Sequence, residues 1–264
     1  MSSTYKNKPR ILLLDIETSP LLGYVWSLWN NNVGLNQLKE DWHLLSWSAK
    51  WLGEKEIFYM DQRGRRNIED DKRLCTGIWK LMDKADIILT QNGKKFDIKK
   101  LNSRFLYWHM PPPASYRQID TCEIAKKKFG FTSNKLEYMA DKFTGYKKMT
   151  KREFAGFELW SECLKGNIRA WKEMEKYNKM DVVVLEKLYG RLKQWDNTIQ
   201  FNTYSDKFDN VCNCGSTSFV RNGFYYTNRG KYQRFKCTEC NTETHDATNL
   251  ISSADRKNVR KRIV

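Results

Sequence analysis

The sequence predicts an α/β domain, a mixed sheet flanked by helices, followed by a small C-terminal β module pinned by cysteines. Three observations carry this. Residues 10–16 (RILLLDI) and 85–90 (ADIILT) are short apolar runs without helical period, the pattern of strands buried on both faces. Within residues 171–192, Met174, Tyr177, Asp181, Val184, Leu185, Leu188 and Leu192 recur three or four apart, or one turn apart, as the inward stripe of a helix. Four of the seven cysteines fall in two close pairs near the C-terminus.

In chain order, the first strand carries Asp15 and Glu17. They are two apart, so both point to one face of an extended chain. Pro20 then ends the element. Two apolar-aromatic stretches, 24–29 and 44–59, supply further strands antiparallel to the first. Helices are expected near 68–83, 96–108, 120–129, 134–143 and 168–194. Between the second buried strand and the 96–108 helix, Asn92-Gly93 signals a turn. That helix uses Phe96, Leu101 and Phe105 as apolar contacts and places Asp97 in its first turn. Prolines at 111–113 form a stiff break. In the last helix Tyr177 and Asp181 are i and i+4, stacked on the inward stripe. The expected division is an α/β domain over 1–195, a polar linker over 196–210, the cysteine module over 211–246 and a basic tail over 247–264. The tail carries Arg256, Lys257, Arg260, Lys261 and Arg262, which suit either a solvated end or a phosphate-binding role.

Asp15, Glu17, Asp97 and Asp181 each stand where a buried element is expected. An uncompensated buried carboxylate is costly, so such groups are paired or bound to metal. Several converging on one point make a site for Mg²⁺ or Mn²⁺, ions that serve phosphodiester hydrolysis. Each group alone has a plainer reading. Asp-x-Glu at a strand end is common, Asp97 suits the positive end of a helix dipole, and Tyr177-x3-Asp181 makes an ordinary helix pair. Their order and context together favour a metal-dependent site.

The cysteines Cys75, Cys122 and Cys163 are isolated and read as small buried residues in or beside helices. The pairs Cys212-x-Cys214 and Cys237-x2-Cys240 read as one Zn²⁺ site rather than disulfides. Four thiolates match the tetrahedral preference of zinc, and so small a module needs a metal to fold. The first pair is one residue shorter than the usual knuckle, so His245 stands as an alternative ligand to Cys212. Between the pairs, alternating aromatic and polar residues around Asn-Arg-Gly predict a β-hairpin.

Net charge is +16, with 47 Lys+Arg against 31 Asp+Glu, which points to a polyanionic partner. Aromatic residues make up 14 % of the chain, and exposed ones could stack on unpaired bases. Met1 and the residues after it carry no signal-peptide pattern, and no stretch approaches the roughly 20 apolar residues of a membrane span. The expectation is a cytoplasmic protein without membrane contact.

The segments LLLDIETSPLLGYVWSLW, LLSWSAKWLG, NGKKFDIKKLNSRF, IDTCEIAKKKFGFTSNKLEYMA and AWKEMEKYNKMDVVVLEKLY resemble the DEDD exonuclease superfamily, which has an RNase H-like fold. The Tyr177-x3-Asp181 form is similar to the branch that includes the proofreading domains of family B DNA polymerases. With the C-terminal zinc ribbon included, the likeness covers about residues 10–245 and resembles bacteriophage proteins of that build, which implies a bacterial host cytoplasm. Gln91 departs from the family, which usually has His before Asn-Gly; the position is not a metal ligand there. The resemblance implies a 3′-5′ exonuclease that releases 5′-nucleoside monophosphates by a two-metal mechanism. Asp15, Glu17 and Asp181 would hold the metal that activates water, Asp15 would bridge to the second metal with Asp97 nearby, and the Tyr177 hydroxyl would orient the water. The expected substrate is single-stranded DNA with a free 3′ end, with a replication or repair protein as a further partner. The alternatives are an inert nucleic-acid-binding or recruiting protein, a structure-specific endonuclease, and a ribonuclease.

Overall fold

The computed structural model describes residues 9–146, 153–204 and 210–260. They form two compact units, one spanning Arg10–Lys193 and the other built mainly from Gln194 onward.

The first unit is a mixed α/β domain around a five-stranded sheet. Strand β1 (Ile11–Thr18) is followed by a short hairpin, β2 (Leu22–Gly23) and β3 (Leu38–Glu40). Next come β4 (Leu44–Trp51), β5 (Phe58–Asp61), α1 (Lys72–Met82), β6 (Ile87–Thr90) and α2 (Asp97–Tyr107). Then follow β7 (Arg117–Asp120), α3 (Thr121–Lys128), α4 (Leu136–Thr144), α5 (Glu158–Leu164) and α6 (Ile168–Leu192). The sheet order is β5-β4-β1-β6-β7. β4 pairs antiparallel with β1 and β5, whereas β6 pairs parallel with β1 and β7. A central strand with neighbours on both edges and helices on both faces must be apolar along most of its length, which explains Ile11, Leu12, Leu13, Leu14 and Ile16.

Alternation sorts the two faces. Leu12, Leu14 and Ile16 pack with Trp47, Ala49 and Trp51 against Leu74 and Ile78 of α1 and Ile98, Leu101 and Phe105 of α2. The opposite face of β4 carries Ser46, Ser48 and Lys50, all buried. Helix α6 lies over β1 and β4 on that side, with α3, α4 and α5 packed against it. Ser46 and Ser48 hydrogen-bond to Asn178 of α6, and Lys50, on the same face, pairs with Glu186 two turns further along α6. A polar interface therefore replaces an apolar one beneath α6, beside Asp15 and Glu17.

Several expectations need correction. The stretch 24–29 is not a strand: β2 ends at Gly23, and Trp26 and Trp29 are 98 % and 82 % exposed. The following Asn30-Asn31-Asn32 run breaks the extended chain, with Asn30 at φ 54° and Asn31 bonded back to Ser27. The 44–59 stretch supplies β4, antiparallel to β1 as expected, and the start of β5, which is antiparallel to β4 and so runs in the direction of β1. Phe96, expected as an apolar contact of the 96–108 helix, is 39 % exposed at the N-cap of α2. Strand β7 and helix α5 were not foreseen, because each is short and shows too few apolar repeats. Cys75, Cys122 and Cys163 are buried, as expected.

The second unit holds a three-stranded antiparallel sheet, β8 (Phe219–Thr227), β9 (Gly230–Cys237) and β10 (Glu243–His245), in the order β10-β9-β8. Residues 228 and 229 make the hairpin turn. With four cysteines gathered at one end, this is the architecture of a zinc ribbon. The segment read as a linker is partly structured. Ile199 is buried, Phe201–Tyr204 forms a 3-10 turn, and Asn213 bonds to the carbonyl of Ile199 and the N–H of Phe201. Residues 205–209 of that segment, and Lys261 and Arg262 of the tail, lie outside the described residues. The tail contains a short helix, α7 (Ser253–Asn258), capped by Ser252. No helix among the described residues is long and apolar enough to cross a membrane.

Candidate metal centres

Strand β1 and helix α6 bring Asp15, Glu17 and Asp181 together: each offers an oxygen within 4.8 Å of the others. The cause is local. Asp15 and Glu17 share one face of β1, in register with Ser48 and Ser46 of β4, and α6 crosses that face. Asp181 is 6 % exposed on the buried stripe of α6.

Asp97 stands beside this group rather than within it. Its Oδ1 accepts a hydrogen bond of 3.1 Å from the backbone N–H of Ile16, between the two acids of β1. The turn before it is tight: Asn92 has φ 61°, and a Cβ on Gly93 would collide with the Thr90 side chain. Asp120 ties that turn down by accepting the N–H of Asn92 at 2.8 Å. Gln91 donates to the carbonyl of Asn134 at 2.8 Å and accepts from Thr121, so it braces the turn and offers no free ligand.

Tyr177 is half-buried one turn before Asp181, its ring edge-on to Trp160 at 5.9 Å. It packs on the cluster formed by Leu45, Phe154, Leu159 and Trp171, so the ring has a fixed position.

Asn178 was not foreseen. It is fully buried, and its Nδ2 donates to Asp15 Oδ2 at 2.6 Å. Ser46 Oγ donates to its Oδ1 at 3.2 Å, and Ser48 Oγ to its carbonyl at 2.6 Å. The signal was present in the sequence: Ser46, Ser48 and Lys50 interrupt an apolar strand with period two, and Asn178 lies three residues before Asp181 on the same stripe.

The electrostatics call for a cation. Burial, then the charges of Asp181, Glu17 and Asp97, push the Asp15 carboxyl well above its ordinary value, with only Asn178 opposing. Burial raises Asp97 to about 7, against the opposing hydrogen bond from Ile16 and with added repulsion from Asp120. Hard oxygen donors in a group this close fit a divalent cation such as Mg²⁺ or Mn²⁺. A raised pKa makes the folded acid hold its proton. Asp97 therefore adds stability below the ordinary carboxylate range and loses it as pH rises through about 7. A bound cation reverses that loss. The rise in melting temperature on adding Mg²⁺ is expected to be larger at about pH 8 than at about pH 5.5. A Mg²⁺ shift independent of pH in differential scanning fluorimetry would contradict this.

The second cluster is Cys212, Cys214, Cys237 and Cys240, whose sulfurs all lie within 4.8 Å of one another. Sγ of Cys212 is 3.5 Å from that of Cys240, and Sγ of Cys214 is 3.7 Å from that of Cys237. Burial pushes Cys212 and Cys214 up. Burial also acts upward on Cys237, but the N–H groups of Cys240 and Glu239 outweigh it and bring that thiol to about 6. Four soft donors at this spacing fit Zn²⁺. His245 is stacked on Tyr225 at 4.4 Å with Nδ1 on the Asp246 carbonyl, so it does not replace Cys212 in the cluster.

Among solved structures, the chain is similar to the family B DNA polymerase from the hyperthermophilic archaeon Pyrobaculum calidifontis, with a TM-score of 0.52 and 16 % sequence identity. The likeness covers 70 % of this chain and 25 % of the polymerase, so the chain spans about a quarter of that protein's length. At this identity it speaks for the fold alone. No curated protein matches the chain in sequence. The family model of the RNase H superfamily matches residues 33–193, which include Asp97, Tyr177 and Asp181 and begin after β1. That match extends over more than half of the sequence, and the chain belongs to the RNase H superfamily.

Proposed function

We propose that the chain is a metal-dependent 3′-5′ exonuclease of the tyrosine-containing DEDD branch, acting on single-stranded DNA and releasing 5′-nucleoside monophosphates. The observation that carries the proposal is the meeting of Asp15, Glu17 and Asp181 within 4.8 Å, the first two half-buried and Asp181 buried, with Asp97 held beside them. Divalent cations in such a centre polarise phosphate oxygens and supply hydroxide at neutral pH. Asp15, Glu17 and Asp181 would hold them, with Asp97 contributing directly or through water. Asn178 holds the Asp15 carboxylate through a hydrogen bond to Oδ2, which would leave Oδ1 for a cation. The Tyr177 hydroxyl would orient the attacking water; a phenol with a pKa near 10 is a poor base at pH 7. The net charge of +16 suits a polyanionic substrate. We place the protein in the cytoplasm of a bacterial host, with a replication or repair protein as a further partner.

The test uses single strands labelled at the 3′ or the 5′ end, incubated with Mg²⁺. The proposal expects immediate release of labelled mononucleotide from the 3′ end and a descending ladder from the 5′ label. Internal cuts as first products would indicate an endonuclease, and preference for RNA strands a ribonuclease.

Tyr177→Phe keeps the ring packing and removes the hydroxyl. Its rate is expected to fall within the roughly 10²–10⁴-fold range of a positioned group. An unchanged rate would reduce Tyr177 to a packing residue. Asn178→Ala is expected to lower activity about 10–100-fold, the usual effect of losing a group that orients a metal ligand. The Mg²⁺ concentration for half-maximal rate should rise with it. A loss of rate with unchanged Mg²⁺ dependence would mean that Asn178 only supports packing.

A further inference from the structure

The second unit contains a cleft that shares no residue with the carboxylate centre. Its volume is about 440 Å³, and its walls include Arg229, Arg256 and Lys257 with Thr227, Tyr232 and Ser253. The hairpin turn between β8 and β9 forms one side. The tail forms the other and is stitched to the hairpin by Asn249, whose Oδ1 accepts the N–H of Lys231 at 3.1 Å, and by the N–H of Leu250 on the Lys231 carbonyl at 2.7 Å.

Among the described residues, three cations line this cleft and no carboxylate does. Asp255, the acid next in sequence, turns its carboxylate to the Ser252 hydroxyl at 2.6 Å. Arg256 donates from Nη2 to Ser253 Oγ at 2.9 Å, but its buried Nε has no hydrogen-bond partner among the described residues. Arg229 spends one Nη2 donor on the Arg256 carbonyl at 3.0 Å. Gathering like charges costs energy unless an anion joins them, and an orphaned buried donor points the same way.

Aromatic rings adjoin the cations. Tyr232 lines the cleft, and its ring centre lies 5.3 Å from His245 and 6.2 Å from Tyr225. His245 and Tyr225 are stacked in parallel, and Tyr225 is 43 % exposed. Cations beside flat exposed rings match alternating phosphates and unpaired bases.

We propose that this cleft binds the sugar-phosphate backbone of a single-stranded nucleic acid, with Arg229, Arg256 and Lys257 on phosphates and the Tyr225–His245–Tyr232 rings under the adjoining bases. The site stands independently of the carboxylate chemistry.

The experiment is fluorescence anisotropy of a labelled thymidine oligonucleotide with the full chain, without added Mg²⁺, across salt concentrations. Arg229 and Lys257 are exposed, so Arg229→Gln/Lys257→Gln leaves the fold intact, which circular dichroism checks. The double variant is expected to bind more weakly and to lose about 1.4 from the slope of log affinity against log salt, at about 0.7 per phosphate contact. Tyr225→Ala is expected to weaken binding about tenfold with the slope unchanged. An Asp15→Asn/Asp181→Asn background should show the same losses, which separates this site from the carboxylate centre. Inorganic phosphate at matched ionic strength should not displace the oligonucleotide, whereas unlabelled oligonucleotide should. Unchanged affinity and slope in the double variant would overturn the proposal. So would displacement by inorganic phosphate, which marks a free-phosphate site, or loss of all binding in the carboxylate variant alone.

Discussion

Asp15→Asn is expected to abolish nearly all Mg²⁺-dependent nuclease activity while raising the melting temperature of the metal-free protein. The substitution keeps the shape of the side chain and an oxygen that can accept the Asn178 hydrogen bond. It removes the charge that burial and three neighbouring acids already oppose. The folded state therefore loses a repulsion, while the centre loses a group it needs to hold a cation. The loss of rate should exceed the roughly 10–100-fold typical of a group acting only through a ligand. Opposite signs for activity and stability distinguish a functional carboxylate from a structural one, because a structural acid would lower both when neutralised. Full activity, or a lower melting temperature without metal, would remove Asp15 from the proposed centre.

Cys237→Ser is expected to unfold the ribbon and abolish zinc binding, which should be one ion per full chain. The reason lies in the absence of any other core. Among the described residues from 211 onward, the buried positions are Cys212, Gly230 and Cys237. Three strands without an apolar interior cannot offset the entropy of ordering their backbone, about 1–2 kcal/mol per residue. Zinc in small modules supplies roughly 10–16 kcal/mol at neutral pH. Elemental analysis and amide NMR check both parts. Dispersed ribbon resonances in a zinc-free variant would contradict the assignment. The unit spanning Arg10–Lys193 should be unaffected, since its core of Leu12, Leu14, Ile78 and Leu101 uses none of these cysteines.

The carboxylates were legible because each interrupts an element whose period is otherwise clear. Asp15 breaks an apolar strand, Asp97 opens a helix after a marked turn, and Asp181 sits on an apolar stripe. Their meeting depends on long-range packing of α6 over β1 and β4, which no local spacing encodes. Asn178 is not legible for the same reason: a polar residue on a helix gains meaning only from Ser46, Ser48 and Asp15 around it. The 24–29 stretch is no strand despite its composition, because aromatic and β-branched residues favour strands only where a partner strand exists. Here β2 finds two residues of partner in β3 and the chain then leaves the sheet.

The most direct measurement is anomalous diffraction at the manganese edge from crystals of the full chain grown with Mn²⁺. The account predicts manganese peaks bounded by Asp15, Glu17 and Asp181, with Asp15 touching each ion and Asp97 on the side toward β1. Absence of manganese there, with ions bound elsewhere, would contradict it.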